Sequence, residues 1–242
     1  MELKVFEMGF NYSQDGPGNR LVIHLGGCNM RCPWCSNPEG MNIDKFREGI
    51  TVESIVCKIL SSKPMFFDGG GVTFTGGECS LQMDALEELI NILKRENISV
   101  AIESNASTSA FLKLAKLSDY VICDYKHPNA EKLKQIAGGD LDLIEGNIKS
   151  AIAFSPLHIR IPLIGGFNNS PDDFEGFKKF FLSLKEISEE FDVEILKYHE
   201  YGKEKWEKQG LEYKMANAFV SSEDEKALAS LLGRNGIKII KS

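Results

Sequence analysis

Strand-like and helix-like segments alternate along the chain, and this alternation limits the possible folds more than any other sequence feature. RLVIHL (20–25) has the continuous apolar run of a buried strand, whereas Leu86, Leu89 and Leu93 fall on one face of a helix. Strands that alternate with helices pack into a mostly parallel sheet, so we predict an α/β fold. The predicted strands are 20–25, 71–75, 98–104, 120–126, 157–164, 193–199 and 236–240, and the predicted helices are 51–62, 81–97, 108–117, 141–154, 170–188 and 223–234.

The number of strand–helix units predicts the architecture of the sheet. Six such units follow one another, and no linker or repeat interrupts the 242 residues. A complete barrel built from these units has about eight of them. We therefore expect a single domain over 1–242, folded as a partial (β/α)6 barrel that is open on one side.

Charge and hydropathy exclude some classes of protein. Lys and Arg number 28 against 35 Asp and Glu, a net charge of −7, which disfavours a protein that binds nucleic acid through phosphate contacts. No apolar run is long enough to span a membrane, and Glu2, Lys4 and Glu7 interrupt the apolar core that a signal peptide would need. We expect a cytoplasmic protein whose six cysteines are metal ligands or buried thiols rather than disulfides.

Three cysteines lie close together in GGCNMRCPWCSNPEG (26–40). Cys28, Cys32 and Cys35 form a C-x3-C-x2-C pattern, and clustered thiolates suit an iron–sulfur cluster or zinc. A four-iron cluster with three protein ligands has one iron available to a substrate. A structural zinc ion wants four ligands, and a distant cysteine would have to supply the fourth, with Cys57 and Cys79 as candidates. The spacing alone leaves both metals open.

Polar residues recur where the predicted strands end. Active sites of α/β barrels lie at this edge, so these residues are candidates for a shared site. Arg160 lies inside an apolar strand, where an unpaired charge is costly, so we expect it to have a buried anionic partner. The candidates are Gly76, Gly77, Glu78, Glu103, Ser104, Asp124, Lys126, Arg160 and His199.

The motifs together resemble one protein family. The cysteine pattern with Trp34 before its last cysteine is similar to that of the radical S-adenosylmethionine (SAM) superfamily. The order of the remaining motifs resembles the glycyl radical enzyme activating enzymes, and the compact length is most similar to the pyruvate formate-lyase-activating type without a ferredoxin insert. These motifs are DGPGNR (15–20), GGGVTFTGGE (69–78), ESN (103–105), DYKH (124–127), IRIPLIGGFN (159–168) and YHEYGKEKWEKQG (198–210).

The resemblance implies a fold and an activity. It implies a radical SAM barrel with one [4Fe-4S] cluster on Cys28, Cys32 and Cys35, whose fourth iron binds the amino and carboxylate groups of SAM. Such an oxidoreductase cleaves SAM reductively under anaerobic conditions, and the 5'-deoxyadenosyl radical removes a hydrogen from a glycine Cα of a partner glycyl radical enzyme. Flavodoxin or ferredoxin is the implied electron donor, and we expect a monomer.

The resemblance also assigns roles to single residues. Asp15 is expected to face the loop of the partner protein, and a side chain at Gly77 is expected to block SAM without disturbing the cluster. A monovalent cation beside SAM is implied near Glu103 and Asp124. The expected SAM contacts are Trp34, Gly76, Gly77, Glu78, Glu103, Ser104, Asp124, Lys126, Arg160 and His199.

The sequence departs from the family pattern in three places. A family motif that commonly reads D-[ST]-N-G is here 103–106, with Glu103 first and Ala106 last, and Ser36 follows the last cysteine where the pyruvate formate-lyase type often has histidine. Only Cys57 lies between the cysteine motif and Gly76, so we expect no second cluster. Cys57, Cys79 and Cys123 are expected to be buried thiols, with Cys79 the one to check for a role in the site.

Two other functions stay open from the sequence. The chain could be a radical SAM enzyme that acts on a small molecule, as the enzymes making deazaguanine precursors do. It could also be a non-catalytic iron–sulfur or zinc protein that serves electron transfer or binding. DGPGNR and the YHEYGKEKW segment favour the activating enzymes over the small-molecule enzymes.

Overall fold

The structure is a computed structural model that describes residues 1–240, and these residues divide into two compact units. The first unit contains Met1–Asn29, Glu39–Ser104 and Thr108–Ile122. The second contains Met30–Pro38, Asn105–Ser107 and the chain from Cys123 onward. Both units therefore draw on distant parts of the sequence. That 1–242 act as one domain stays a prediction.

The first unit is built on a sheet with the order β2-β3-β5-β6. Strand β2 pairs antiparallel with β3, whereas β3 pairs parallel with β5, and β5 with β6. Strands β3 and β5 are buried along almost their whole length, as expected for parallel strands covered on both faces. The strands of this unit are β1 (Glu2–Leu3), β2 (Val5–Tyr12), β3 (Asn19–Leu25), β4 (Ile50–Thr51), β5 (Gly71–Gly76) and β6 (Ser99–Ser104), of which β1 and β4 form a separate antiparallel pair.

The helices of the first unit bury the apolar faces that the sequence predicts. Helix α2 buries Leu86, Leu89 and Leu93, and helix α1 begins where the Thr51 side chain accepts a hydrogen bond from the Ser54 amide at 3.2 Å. The helices are α1 (Val52–Ser62), α2 (Met83–Arg95) and α3 (Phe111–Leu117). Strand β7 (Tyr120–Asp124) follows, and its residues belong partly to each unit.

The second unit contains a parallel sheet with the order β8-β9-β10. Helix α6 begins at a capping box, in which the Ser170 and Asp173 side chains each accept from the backbone amide of the other. The strands are β8 (Leu157–Leu163), β9 (Phe191–Lys197) and β10 (Ile239–Ile240), and the helices are α4 (Ala130–Ala137), α5 (Leu141–Ala151), α6 (Pro171–Lys185), α7 (Lys203–Lys208) and α8 (Ser222–Arg234).

The α/β prediction is confirmed, and all seven predicted strands are present within residues 1–240. Five of these strands and helices were not predicted from the sequence: β1, β2, β4, α4 and α7. Strand β2 has only half-buried and exposed positions, and the other four elements are eight residues long or shorter. None of the helices in the described part of the chain combines the length and the apolar composition that crossing a membrane requires.

Candidate active site

The segment that leads to Cys28 is fixed by backbone hydrogen bonds. Strand β3 ends at Leu25, and the Gly27 amide then donates to the Gly40 carbonyl at 2.7 Å. The Cys28 amide donates to the Met41 carbonyl at 3.1 Å. Gly27 has a φ of +94°, a conformation that side chains disfavour. Backbone hydrogen bonds therefore hold Cys28 in place, and Gly27 provides the positive φ that this backbone conformation requires.

Gly77 packs directly against this cysteine segment. The Gly77 amide donates to the Leu25 carbonyl at 2.8 Å, and the next amide, of Glu78, donates to the Gly27 carbonyl at 2.7 Å. A Cβ atom on Gly77 would lie 2.0 Å from the Gly27 carbonyl oxygen. The expectation that a side chain here would block only SAM therefore needs correction, because it would first displace the segment that carries Cys28.

Gly76 also lacks a side chain for a reason of packing. It has a φ of +117°, and a Cβ atom would lie 2.3 Å from the Leu25 amide nitrogen of the neighbouring strand. The two glycines thus allow the end of β5 to lie against the end of β3. That a ligand amine can also approach their backbone stays a prediction.

The Glu78 carboxylate is fully buried and held in one orientation. Its Oε1 atom accepts from the Ser80 amide at 3.1 Å, from the Ser80 hydroxyl at 2.5 Å and from the Ser104 hydroxyl at 2.7 Å. Buried carboxylates need such donors. The predicted roles of Glu78 and Ser104 are therefore linked in the structure, because Ser104 positions the carboxylate.

Glu103 lies beside two residues of the same unit. Its Oε2 atom accepts from the Thr75 hydroxyl at 2.9 Å, and its carbonyl accepts from the Cys79 thiol at 3.5 Å. Burial raises the pKa of Cys79 well above its usual value, and the nearby Glu78 and Glu103 carboxylates raise it further. Because metals bind the thiolate, this environment disfavours Cys79 as a fourth zinc ligand.

The remaining cysteines outside the motif differ in exposure. Cys79 and Cys123 are buried thiols, as predicted, whereas Cys57 is exposed on helix α1. The prediction that Cys57 is buried was wrong, because the apolar face of α1 is formed by Val52, Ile55 and Ile59 and leaves Cys57 outside it.

The DGPG turn is tied to the sheet by a buried arginine. Arg20 is completely buried and donates to the Thr73 hydroxyl at 2.8 Å, the Val72 carbonyl at 2.7 Å and the Ser99 carbonyl at 3.1 Å. It also donates to the Pro17 carbonyl at 3.2 Å. Burial lowers its pKa to about 10, so it remains charged at neutral pH. This anchoring role was not predicted from the sequence, where Arg20 appears only as the last residue of a motif.

Asp15 lies at the start of this turn and is half-buried. Its carboxylate accepts from the Asn11 amide nitrogen Nδ2 at 2.6 Å, and its carbonyl accepts from the Thr73 hydroxyl at 2.6 Å. Thr73 thus connects Asp15 to Arg20. The structure holds Asp15 in place through neighbours on two strands, and its predicted contact with a partner stays a prediction.

In the second unit, Cys32 is buried and Cys35 is half-buried. The Cys35 amide donates to the Cys32 carbonyl at 3.1 Å, and the Asn37 amide donates to the Cys35 sulfur at 3.4 Å. Amide hydrogen bonds to sulfur are typical of iron–sulfur sites, where they tune the cluster. Trp34 packs with its ring 4.5 Å from that of Phe167.

The donor set fits a [4Fe-4S] cluster. All three motif cysteines are thiols rather than halves of disulfides, and they fall within eight residues. No three His, Cys, Asp or Glu side chains among residues 1–240 surround a point that a single metal ion could occupy. A four-iron cluster carries its thiolates on different irons, so its ligands do not converge on one such point.

Strand β7 ends in an ion pair. The Lys126 ammonium lies 2.5 Å from the Asp124 carboxylate, and both side chains are largely buried. His127 follows, and its Nδ1 atom accepts from the Asn129 amide at 2.9 Å, so Nε2 donates to the Phe167 carbonyl at 2.8 Å. Lys126 already neutralises Asp124, and the implied cation near Asp124 and Glu103 stays a prediction.

Arg160 has the buried anionic partner that the sequence led us to expect, but this partner is a protein carboxylate. Arg160 Nε donates to Glu194 Oε2 at 2.8 Å, and both side chains are buried. His158 contacts the same Oε2 atom through Nε2 at 3.0 Å and Asp192 through Nδ1 at 2.6 Å. Glu194 lies opposite Arg160 in the register of β8 and β9, which the sequence alone does not give.

His158 should make the stability of the protein depend on pH. Burial disfavours its charged form, but hydrogen bonds to Glu194 and Asp192 outweigh burial and raise its pKa. Its contribution is then fully present below the unfolded pKa of about 6.5 and is lost as pH rises through the higher native pKa. In urea unfolding of the cluster-free protein, the stability lost in His158→Gln should shrink with rising pH.

The control for this measurement is His199→Gln, unfolded in urea under the same conditions. Burial lowers the pKa of His199, so the stability it contributes should change with pH in the opposite direction. A His158→Gln deficit that is constant across the pH range would contradict a charged His158.

His199 follows β9 and is half-buried. Its ring stacks on that of Tyr201 at 4.1 Å, and its Nδ1 atom accepts from the Tyr201 amide at 3.4 Å. Because its pKa is lowered, His199 is neutral at neutral pH. Because Nδ1 accepts a hydrogen bond, the proton lies on Nε2. His199 can therefore donate one hydrogen bond to a ligand.

Ala106 adopts a left-handed backbone conformation, which glycine tolerates better than alanine does. Its φ is +56°, which costs an alanine about 1 kcal/mol relative to glycine. Asn147 donates to the Ala106 carbonyl at 2.8 Å from a buried position and holds the turn.

Known proteins are similar to this chain in sequence and in fold. The model of the radical SAM superfamily matches residues 22–181. The pyruvate formate-lyase-activating enzyme of Staphylococcus epidermidis (strain ATCC 12228 / FDA PCI 1200) is 34% identical over 224 residues, which cover 88% of this chain and 87% of the relative.

Solved structures agree with this match. A domain of pyruvate-formate lyase-activating enzyme from Bacteroides vulgatus ATCC 8482 has 28% identity and a TM-score of 0.56, over 72% of this chain and 99% of that one. A radical SAM methyltransferase from Sphaerobacter thermophilus has a TM-score of 0.66 over 100% of this chain and 77% of that one, and at 14% identity it shows the fold alone. The predicted radical SAM fold is thereby confirmed. The chain belongs to the radical SAM superfamily, within the family of pyruvate formate-lyase-activating enzymes.

Proposed function

We propose that this activating enzyme removes one hydrogen atom from a glycine Cα of a partner glycyl radical enzyme. In this step the glycine C–H bond breaks, the hydrogen atom leaves with one electron, and the other electron stays on the glycine. The observation that carries the proposal is that one chain combines the three-cysteine motif with a DGPG turn anchored by the buried Arg20.

The family implies two cofactors, a [4Fe-4S] cluster and SAM, and the motif residues would hold the cluster. When bound, a reduced [4Fe-4S] cluster and SAM supply the carbon radical that accepts the hydrogen atom. Cys28, Cys32 and Cys35 would hold the cluster, and Trp34 would cover it.

The remaining site residues would bind SAM by charge and hydrogen bonding. Glu78, oriented by Ser80 and Ser104, would accept from the SAM amino group near Gly76 and Gly77. Lys126 and Arg160 would face the SAM carboxylate, with Asp124 and Glu194 setting their positions. His199 would donate a hydrogen bond from Nε2 to SAM. Glu103 and Ser104 would border the ribose of SAM or a cation.

We further propose that 1–242 act as one catalytic domain and as a monomer. The family match over 22–181 runs through segments of both compact units, which supports a single functional domain. In the cell, one electron per turnover would come from a protein donor such as flavodoxin or ferredoxin. A reducing cytoplasm would keep the motif cysteines available to the cluster.

The proposal can be tested on the protein reconstituted anaerobically with iron and sulfide. With dithionite and SAM, we expect release of 5'-deoxyadenosine, measured by chromatography. With a glycyl radical enzyme from the same genome, we expect a glycine-centred signal in electron paramagnetic resonance. Stoichiometric zinc without SAM cleavage would support a binding protein instead. SAM cleavage that yields a deazaguanine precursor would support a small-molecule enzyme.

Asp15→Ala should separate partner recognition from SAM cleavage. If the Asp15 carboxylate accepts hydrogen bonds from the partner loop, its loss should lower glycyl radical formation about ten- to hundred-fold, as expected for one or two charged hydrogen bonds. Release of 5'-deoxyadenosine without the partner should stay nearly normal. The two products are measured in parallel on one preparation.

Asp15→Asn tests the charge separately, because it keeps the size of the side chain next to Asn11. If both products fall together in Asp15→Ala, Asp15 supports SAM binding or the Arg20 anchor. If neither falls, the DGPG turn plays no part in recognising the partner.

A further inference from the structure

The segment 202–206 contacts the loop that carries the third cysteine. Trp206 Nε1 donates to the Cys35 carbonyl at 2.9 Å, and the Lys205 ammonium donates to Asn37 Oδ1 at 2.8 Å. The partners are separated by 171 and 168 residues in the sequence. Two side chains of helix α7 thus bind two positions of the cysteine loop.

Gly202 allows this approach. A Cβ atom on Gly202 would lie 2.4 Å from the Cys35 carbonyl oxygen and 2.9 Å from Ser36 Cα. Its φ is −79°, an ordinary value, so the absence of a side chain serves close packing and not an unusual turn. The Trp206 amide donates to the Gly202 carbonyl at 3.0 Å, which fixes the two residues relative to each other.

The bound loop presents an amide to the thiolate. The Asn37 amide donates to the Cys35 sulfur at 3.4 Å, while the Asn37 side chain is held by Lys205. The carbonyl of Cys35 is held by Trp206 at the same time. Helix α7 thus contacts both the third cysteine and the residue whose amide is hydrogen-bonded to its sulfur. The position of a ligand and the hydrogen bonds to its sulfur both influence an iron–sulfur cluster.

We propose that Gly202, Lys205 and Trp206 form a latch that positions the Cys35 thiolate and its amide donor for the cluster. This inference rests on the proposed function, because it takes Cys35 as a cluster ligand. The three residues are positioning residues, because they would act on the cluster through Cys35 and Asn37. Loosening the latch should expose Cys35 in the cluster-free protein and weaken retention of the cluster in the loaded protein.

The first measurement uses the cluster-free protein. Alkylation of Cys35 by iodoacetamide, followed by mass spectrometry, should be about three- to tenfold faster in Trp206→Phe and in Lys205→Met than in wild type, the range expected for loss of one hydrogen bond. Lys205→Arg keeps a donor and should restore the slow rate. Lys208→Met is the matched control, because Lys208 lies on the same helix with its side chain 76% exposed.

The second measurement uses the reconstituted protein. Loss of the cluster to an iron chelator should be faster in Trp206→Phe and Lys205→Met by a similar factor, and the cluster's reduction potential should shift. Wild-type rates of both alkylation and chelation in these variants would overturn the latch, while normal SAM cleavage by them would leave the proposed function intact. If wild type itself assembles no cluster, the proposed function fails, and the alkylation rates still decide whether the latch exists.

Discussion

A Cys32→Ala protein is expected to hold no intact [4Fe-4S] cluster and to release no 5'-deoxyadenosine. Cys32 is buried and lies between the other two motif cysteines in the sequence, and alanine offers no atom that can take the place of its thiolate. With two ligands left, the cluster loses one of the three protein bonds that hold it. Iron and sulfide content and the visible absorption spectrum after anaerobic reconstitution measure the loss.

Cys57→Ala is the matched control for this experiment. Cys57 is exposed and lies outside the motif, so its replacement should leave the cluster and SAM cleavage unchanged. A full complement of iron and sulfide in Cys32→Ala would show that Cys32 is not a ligand. A loss of metal in Cys57→Ala would instead favour a site with a distant fourth cysteine.

Gly77→Val should reduce both cluster retention and SAM binding. The Cβ atom alone would lie 2.0 Å from the Gly27 carbonyl oxygen and 2.8 Å from that of Gly40, and backbone cannot move aside as a flexible side chain can. Overpacking of this kind costs about 1–3 kcal/mol, and here the strain falls on the segment next to Cys28. Equilibrium binding of SAM and iron content, measured on the same preparation, report the two losses.

Gly9→Val is the control, because Gly9 is exposed on β2 and no neighbouring atom lies within 4 Å of the position that its Cβ would occupy. If Gly77→Val keeps a full cluster and loses only SAM binding, the side chain intrudes on SAM and the cysteine segment can accommodate it. If both properties are normal, the close packing of Gly77 against Gly27 has no influence on the site.

Regular apolar periodicity made most of the fold predictable. Helix α2 shows its buried face in Leu86, Leu89 and Leu93, and α6 begins at the Ser170-Pro171 start that the sequence indicates. Helix α4 has only a small buried face, formed by Leu133 and Ala137, and its eight residues are too few for a clear repeat in the sequence. The structure shows that Asn129 caps this helix, because its side chain accepts a hydrogen bond from the Lys132 amide at 3.0 Å.

The sequence indicated which polar residues lie on or after the strands, but not which residues they contact. The order of the predicted strands placed Glu78 and Glu103 at strand ends and Arg160 inside an apolar strand. The link from Arg160 to Glu194 depends on the register of β8 against β9, which no local pattern encodes. The contact of Trp206 with Cys35 joins residues far apart in the chain, so only the folded structure could reveal it.

The burial of Arg20 has a consequence for the order in which the chain can fold during its synthesis. Its acceptors come from Pro17, from Val72 and Thr73, and finally from Ser99. A nascent chain that ends before Ser99 would have to bury the guanidinium with part of its hydrogen bonds missing, which is costly. We therefore expect the first unit to close only after β6 has left the ribosome, so that the DGPG turn becomes rigid together with the sheet rather than ahead of it.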